Sequence, residues 1–227
     1  MKKVILISGG SDGLGKAIAK KLVATHAVII LASNKEKTAS AAEAVGCDFA
    51  VADVSSYEQV ENVVSEIVTK YGQIDCLVNN AGVWIEGPLE DNSPEDITKV
   101  LDVNTKGTIF LTKAVLPYMK KQNSGRIVNV ISQSGLHSKA ERTVYHASKW
   151  AITGFTDSLR IELATNNISV CGFYPGGMKT DFFAKAGSTK DVSKYIELDD
   201  AVSALEFIVN APESVCIPEF GIKFRGA

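Results

Sequence analysis

The sequence predicts a doubly wound parallel α/β sheet, Rossmann-like, in a single domain spanning residues 1–227. Three observations carry that expectation. Apolar, β-branched runs of strand length recur along the chain, helix-like stretches alternate with them, and a glycine-rich turn stands where the first strand gives way to the first helix. The strand runs fall at 4–7, 27–32, 49–52, 74–79, 126–131, 168–173 and near 215–217. The longer helical stretches fall at 13–25, 56–71, 94–121, 144–165 and 199–210. Strands apolar on both faces need helices on both faces, which a covered parallel sheet supplies. No repeat, low-complexity segment or proline-rich linker interrupts the alternation, and a hydrophobic content of 45% suits one core.

Composition removes several classes. A formal charge of -2, with no basic patch interleaved with aromatics, offers nothing to nucleic acid or to an anionic membrane surface. No apolar stretch approaches the ~20 residues of a membrane span. Met1-Lys2-Lys3 resembles the start of a signal peptide, but the apolar run after it stops at Ser8 without a small-residue cleavage site, so it is read as the first strand. Cys47, Cys76, Cys171 and Cys216 are scattered singly, the pattern of reduced thiols in a cytoplasmic protein and not of a disulfide frame or metal site.

Taken in order, the first run opens onto Ser8-Gly9-Gly10-Ser11-Asp12-Gly13-Leu14-Gly15, a Gly9-x3-Gly13-x-Gly15 spacing on a strand-to-helix turn. Helix amides and the positive dipole end face outward there, so Gly9, Ser11, Asp12, Gly13, Leu14 and Gly15 are candidate contacts to a pyrophosphate. The second run ends Leu31-Ala32-Ser33-Asn34-Lys35 with no acid for a ribose 2'-hydroxyl. Ser33 and Asn34 can donate to a 2'-phosphate, with Lys35 or Lys37 supplying charge, which favours NADP over NAD. Asp12 opposes that choice, because a carboxylate repels a phosphomonoester, and the lysines also read as a solvated first helical turn. After the third run, Asp53, beside Val54, reads either as an acceptor for an adenine amino group or as an ordinary turn residue. Asn79-Asn80-Ala81-Gly82 closes the fourth run with residues that let a ligand approach the backbone, or with a polar turn. Trp84 and Glu86 follow as candidate pocket walls.

Asn104 lies on the long helical stretch, and Ser132 ends the fifth run where the sheet opens to a ligand. Ser134 and His137 share its loop, as a pocket lining or as plain loop residues. Tyr145-His146-Ala147-Ser148-Lys149 places a phenol and an ammonium at i and i+4 of a helix, on one face. A cation there favours phenolate and lowers a pKa that starts near ~10. Trp150 and Phe155 point away from that face. Pro175-Gly176 and Thr180 leave the sixth run at the same sheet end. The least regular segment, 176–197, carries Lys179, Lys185, Lys190 and Lys194 with Met178, Phe182 and Phe183, and is the natural lid.

The Gly9/Gly13/Gly15 turn, Asn79-Asn80-Ala81-Gly82, Asn104, Ser132, Tyr145/Lys149 and Pro175-Gly176 with Thr180, in this order and spacing, resemble the short-chain dehydrogenase/reductase family over nearly the whole chain. The resemblance implies an NAD(P)-dependent oxidoreductase interconverting a secondary alcohol and a ketone or aldehyde. It implies Tyr145 as general acid/base and Lys149 as the group that lowers its pKa and holds the nicotinamide ribose. Ser132 would orient the substrate oxygen, Asn104 would hold a relay water, and Asn80, Ala81, Gly82, Pro175, Gly176 and Thr180 would contact the cofactor. It also implies a homodimer or homotetramer packed through the Tyr145 and Asn104 helices. The end of the chain, Cys216-Ile217-Pro218-Glu219-Phe220-Gly221-Ile222-Lys223-Phe224, lacks the Asp-Gly-Gly turn of carrier-protein ketoacyl reductases and leans toward carbonyl and hydroxy-acid reductases. A sugar-nucleotide epimerase needs an added substrate domain for which 227 residues leave no room. A nonenzymatic dinucleotide sensor of the same fold would be marked by loss of Tyr145 or Lys149, and both are present.

Overall fold

A computed structural model of the chain describes residues 2–189 and 191–226; Met1 and Lys190, named above, lie outside the described residues. The strands are β1 (Val4–Ser8), β2 (Ala27–Ala32), β3 (Asp48–Val51), β4 (Cys76–Asn79), β5 (Gly125–Val130), β6 (Ile168–Pro175) and β7 (Glu219–Ile222). They pair in parallel in the order β3-β2-β1-β4-β5-β6-β7. The helices are α1 (Gly13–Leu22), α2 (Lys35–Val45), α3 (Tyr57–Tyr71), α4 (Pro94–Leu101), α5 (Gly107–Gln122), α6 (Thr143–Glu162) and α7 (Leu198–Asn210). None of them, among the described residues, is long and apolar enough to cross a membrane.

Two apolar layers sandwich the sheet. Buried residues of α1, α2 and α7, such as Ile18, Leu22, Ala42 and Leu205, pack on one face against Ile5, Ile7, Val78 and Phe173. Val60, Val64 and Ile67 of α3, Leu111 and Val115 of α5 and Leu159 of α6 pack on the other against Leu6, Leu77, Ile127 and Val170. Neighbouring strand residues thus face opposite layers, which is why the strands read as unbroken apolar runs. Strand order reverses at β1, with β2 on one side and β4 on the other. The crevice beyond the carboxyl ends of β1 and β4 is therefore where such a sheet takes a ligand.

Three elements differ from the sequence expectation. The last strand lies at Glu219–Ile222 and not near 215–217, because the Val215 and Pro212 carbonyls are drawn onto the buried Arg126 guanidinium. The single helix expected over 94–121 is broken: α4 passes into a π turn, Asp102–Lys106, in which the Gly107 N–H donates to the Asp102 carbonyl, before α5 begins. Helix α2 stands outside the long periodic stretches because its buried side is Thr38, Ala41, Ala42 and Val45, small residues with a weak apolar signal.

Candidate active site

At the end of β1, Gly9 turns the chain with φ +65°, and a Cβ there would sit 2.9 Å from the Ala81 Cα. Gly15 packs on that bend: a Cβ would lie 2.3 Å from the Gly9 carbonyl oxygen, so this glycine seats helix on strand and faces no ligand. Gly13 is the opposite case, with φ +47° and open space where its Cβ would be. Ser11, Asp12, Gly13 and Leu14 line a cavity of about 600 Å³ that also takes in Asn80, Ser132, Tyr145, Lys149, Pro175, Gly176 and Thr180. A second cavity, about 730 Å³, is lined by Ser33, Asp53 and Val54 and shares Gly9, Ala81 and Gly82 with the first. Two chambers meeting over a helix N-terminus fit a dinucleotide, one half in each, with the pyrophosphate against the α1 amides.

Asp12 caps α1, its Oδ1 accepting from the Gly13 N–H at 2.7 Å. Its Oδ2 is paired with Lys37 at 2.8 Å and with Lys185, from the expected lid. Two ammonium groups thus offset the repulsion expected of Asp12 toward a phosphomonoester. Asn34 caps α2 by accepting from the Lys37 N–H at 2.8 Å. Of the residues after β2, Ser33 lines a chamber; Asn34 and Lys35 stand outside both walls. Asp53 lines the second chamber and accepts from the Ser55 N–H at 2.9 Å in a local turn. The Asn80 side chain donates to the Ser8 and Gly9 carbonyls at 3.0 and 3.3 Å, fastening the end of β4 to the glycine turn.

Beyond β5, Ser132 has φ 142° and ψ 158°, a region nearly reserved for glycine and costing about 1–3 kcal/mol for other residues. Its hydroxyl accepts from the Ser134 N–H at 3.0 Å and lies near enough to the Tyr145 phenol to favour the ionised form. His146 braces the same turn, with Nδ1 3.0 Å from the Ser134 carbonyl. A carbonyl only accepts, so Nδ1 carries the proton. Tyr145 and Lys149 are 5% and 6% exposed. The Lys149 ammonium donates to the Val130 carbonyl at 3.1 Å and lies 5.8 Å from the Tyr145 ring centroid.

The expectation that Lys149 lowers the Tyr145 pKa is corrected. Burial dominates and pushes the phenol up, opposed by the Ser132 hydrogen bond and by the charge of Arg142. The same burial pushes the Lys149 ammonium down to about 8. The Asn104 amide is committed within the protein: Oδ1 accepts from the Val83 N–H at 2.8 Å, and Nδ2 donates to the Val83 carbonyl and the Ser148 hydroxyl at 3.0 and 3.1 Å. Its place beside the site is marked by Gly82, where a Cβ would lie 3.3 Å from Asn104 Oδ1 and 3.9 Å from Lys149 Nζ.

Trp84 covers the tyrosine, with ring centroids 4.3 Å apart, and Phe183 meets Trp84 edge-on at 5.0 Å. Met178, Phe182, Phe183 and Lys194 of the 176–197 segment line the chamber that holds Tyr145, as do Ser134 and His137. The segment is pinned by Ser188, whose hydroxyl donates to Glu86 at 2.8 Å. Trp150 is 48% exposed, whereas Phe155 packs partly into the core. Sequence reasoning missed Arg142, His146 and Tyr195 in the cavity wall. A signal for Arg142 existed, since it stands three residues before Tyr145 and so on the same helical side.

Residues 3–191 match the family model for short chain dehydrogenases. A 3-oxoacyl-[acyl-carrier-protein] reductase of Thermotoga maritima is 39% identical over 189 residues, covering 81% of this chain and 77% of its own. Among solved structures, an alcohol dehydrogenase of the archaeon Thermococcus sibiricus, complexed with 5-hydroxy-NADP, superposes with a TM-score of 0.90 at 25% identity, over 99% of this chain and 97% of that one. An NAD+-bound xylitol dehydrogenase superposes with a TM-score of 0.88 at 29% identity, over 98% of each chain. The chain belongs to the short-chain dehydrogenase family and is an oxidoreductase.

Proposed function

We propose that the protein interconverts a secondary alcohol and a ketone or aldehyde with a nicotinamide dinucleotide, preferring NADP. The observation that carries this reading is that Ser132, Tyr145 and Lys149 line one cavity with the glycine turn. A reduced nicotinamide supplies the hydride when bound. The chain supplies the rest. Negative charge grows on the substrate oxygen as the carbonyl is reduced, so that atom needs a hydrogen-bond donor and a proton. Ser132 orients the oxygen, and Tyr145 gives up its phenolic proton. The burial that raises the Tyr145 pKa keeps the phenol protonated at neutral pH, which is what a proton donor requires. Lys149, one helical turn after Tyr145 on α6, holds the nicotinamide ribose. Thr180 holds the carboxamide end, and Asn104, through its bonds to Val83 and Ser148, fixes the α6 backbone near Lys149. Of the similar solved structures, the alcohol dehydrogenase is complexed with 5-hydroxy-NADP and the xylitol dehydrogenase is bound to NAD+. The Lys37 and Lys185 charges around Asp12 support NADP. The exposed Trp150 supports burial of α6 against a second copy of the chain.

General acid catalysis is worth roughly 10²- to 10⁴-fold, so Tyr145→Phe is expected to lose at least about 100-fold in kcat while binding NADPH as the parent does. Steady-state rates on a panel of aldehydes, ketones and keto acids, with NADPH and then NADH, check both parts. Near-normal turnover by the variant overturns the role of Tyr145, and faster rates with NADH overturn the cofactor preference.

A further inference from the structure

The chamber around Tyr145 has a chemical asymmetry that the hydride reading does not use. Its apolar side is Trp84 with Phe182 and Phe183 of the lid, at ring-centroid distances of 6.3 and 5.0 Å from Trp84. Its polar rim is cationic in a chain of formal charge -2: Lys139, Arg142, Lys194 and Lys223 line it against one acid, Asp181. Asp12, the other acid in the wall, is held by Lys37 and Lys185 at the glycine turn. Among the cations Arg142 is the built one. Its side chain is 24% exposed, it precedes α6 directly, and its guanidinium carbon lies 5.4 Å over the Trp84 ring. Trp84 in turn covers Tyr145, so guanidinium and phenol flank one indole. The single ion pair of Arg142 among the described residues runs from Nε to Glu86 at 3.9 Å, the loose edge of such a contact, and Glu86 is outside the cavity wall. Arg142 lines the cavity, its Nη atoms enter none of the hydrogen bonds found among the described residues, and a planar guanidinium fork matches a planar carboxylate with two parallel hydrogen bonds.

We propose that Arg142 anchors a substrate carboxylate, so that the preferred substrates are carbonyl acids whose apolar body lies over Trp84. This deepens the proposed function and rests on it. The cation–π contact with Trp84 restrains the guanidinium beside Tyr145, so the carboxylate is held close to the oxygen that Ser132 and Tyr145 address. Substrates lacking the acid lose the anchor and keep the apolar contacts. The influence of the Arg142 charge on the Tyr145 phenol agrees with its nearness to the reacting atoms.

The test uses the full chain with NADPH and a pair that shares the ring and aldehyde, 4-carboxybenzaldehyde and its methyl ester, in which the electron-withdrawing ester makes the uncharged partner the more reactive carbonyl, so a preference for the acid runs against intrinsic reactivity. The parent protein is expected to favour the acid at least about 10-fold in kcat/KM, with the difference in KM. Arg142→Met, which keeps a stem to pack on Trp84, should bring that ratio close to one. Arg142→Lys should restore part of it, and Glu86→Gln should raise it by removing a competing carboxylate. A parent ratio near one, or a ratio unchanged in Arg142→Met, overturns the anchor. Binding is read separately by titrating tryptophan fluorescence with benzoate, which cannot be reduced by this chemistry. Benzoate binding that weakens at least about 10-fold in Arg142→Met supports the anchor even if neither aldehyde is turned over, an outcome that would overturn the hydride reading alone. Equal benzoate affinity in both proteins overturns the anchor whatever the turnover.

Discussion

At φ 142° the Ser132 backbone occupies space that glycine enters freely and other residues enter at a cost. The Ser134 N–H bond to its hydroxyl and the His146 brace on the Ser134 carbonyl hold it there. Strain and function therefore sit in one residue, and two substitutions separate them. Ser132→Gly removes the hydroxyl and the strain together, whereas Ser132→Ala removes the hydroxyl and keeps the strain. Both are expected to lose most turnover, with the glycine variant more stable than the alanine variant by about 1–2 kcal/mol in urea unfolding. Equal stability of the two would show that the turn is unstrained. The sequence marks Ser132 by its place at a strand end and its spacing to Tyr145. Its unusual backbone is not legible there, because no glycine announces it and the bracing groups reach it only after α6 has docked.

Between elements, the clearest dependence is that of α7 on β5. Arg126, 8% exposed in β5, donates from Nη1 to the Ile208, Val209 and Ala211 carbonyls at 2.6, 3.3 and 2.8 Å. Its Nη2 donates to the Pro212 and Val215 carbonyls at 3.0 and 3.2 Å. The carbonyls that end a helix have no partner within it, and a cation at that end also meets the negative pole of the dipole. Arg126→Met would leave the Val209, Ala211 and Val215 carbonyls without the arginine donor, while those of Ile208 and Pro212 keep the Ala211 and Val215 N–H groups, so a loss of about 3 kcal/mol is expected. For a chain of this length that is a fall of roughly 6–12 °C in Tm, measurable by calorimetry; a fall under about 2 °C would mean that water satisfies the carbonyls. The same contact explains why β7 was legible only approximately. Residues 215–217 have the apolar character of a strand, but the side chain that claims their neighbourhood comes from a strand about 90 positions earlier. By contrast β2 was legible to the residue, since its apolar run is bounded by polar residues and needs no distant partner to define it. The π turn at Asp102–Lys106 had no such boundary, because the backbone stays helical from α4 through it into α5.

For the whole molecule, burial of a cation in the core of the site ties stability to pH. Lys149 lies under both chambers' junction at 6% exposure, with its pKa pushed down to about 8. In the unfolded chain a lysine titrates near ~10.4. Between those two values the unfolded state holds a proton that the folded state lacks, so stability rises with pH across the window from about 8 to ~10.4. Below the window both states are protonated, and the folded protein bears the full penalty of a buried ammonium, on the order of 3 kcal/mol. Above ~10.4 neither state is protonated and the penalty is gone. Tyr145 slopes the other way at the alkaline end, since a phenol pushed up by burial keeps its proton in the folded state when the unfolded chain releases it. Comparison with Lys149→Met isolates the lysine from that opposing slope. The variant is expected to be inactive and about 2 kcal/mol more stable than the parent at pH 7, the lost hydrogen bond to Val130 offsetting part of the gain. Urea unfolding at intervals from pH 7 to 10 should show the gap closing as pH rises, whereas a gap that stays constant would mean that the ammonium remains solvated.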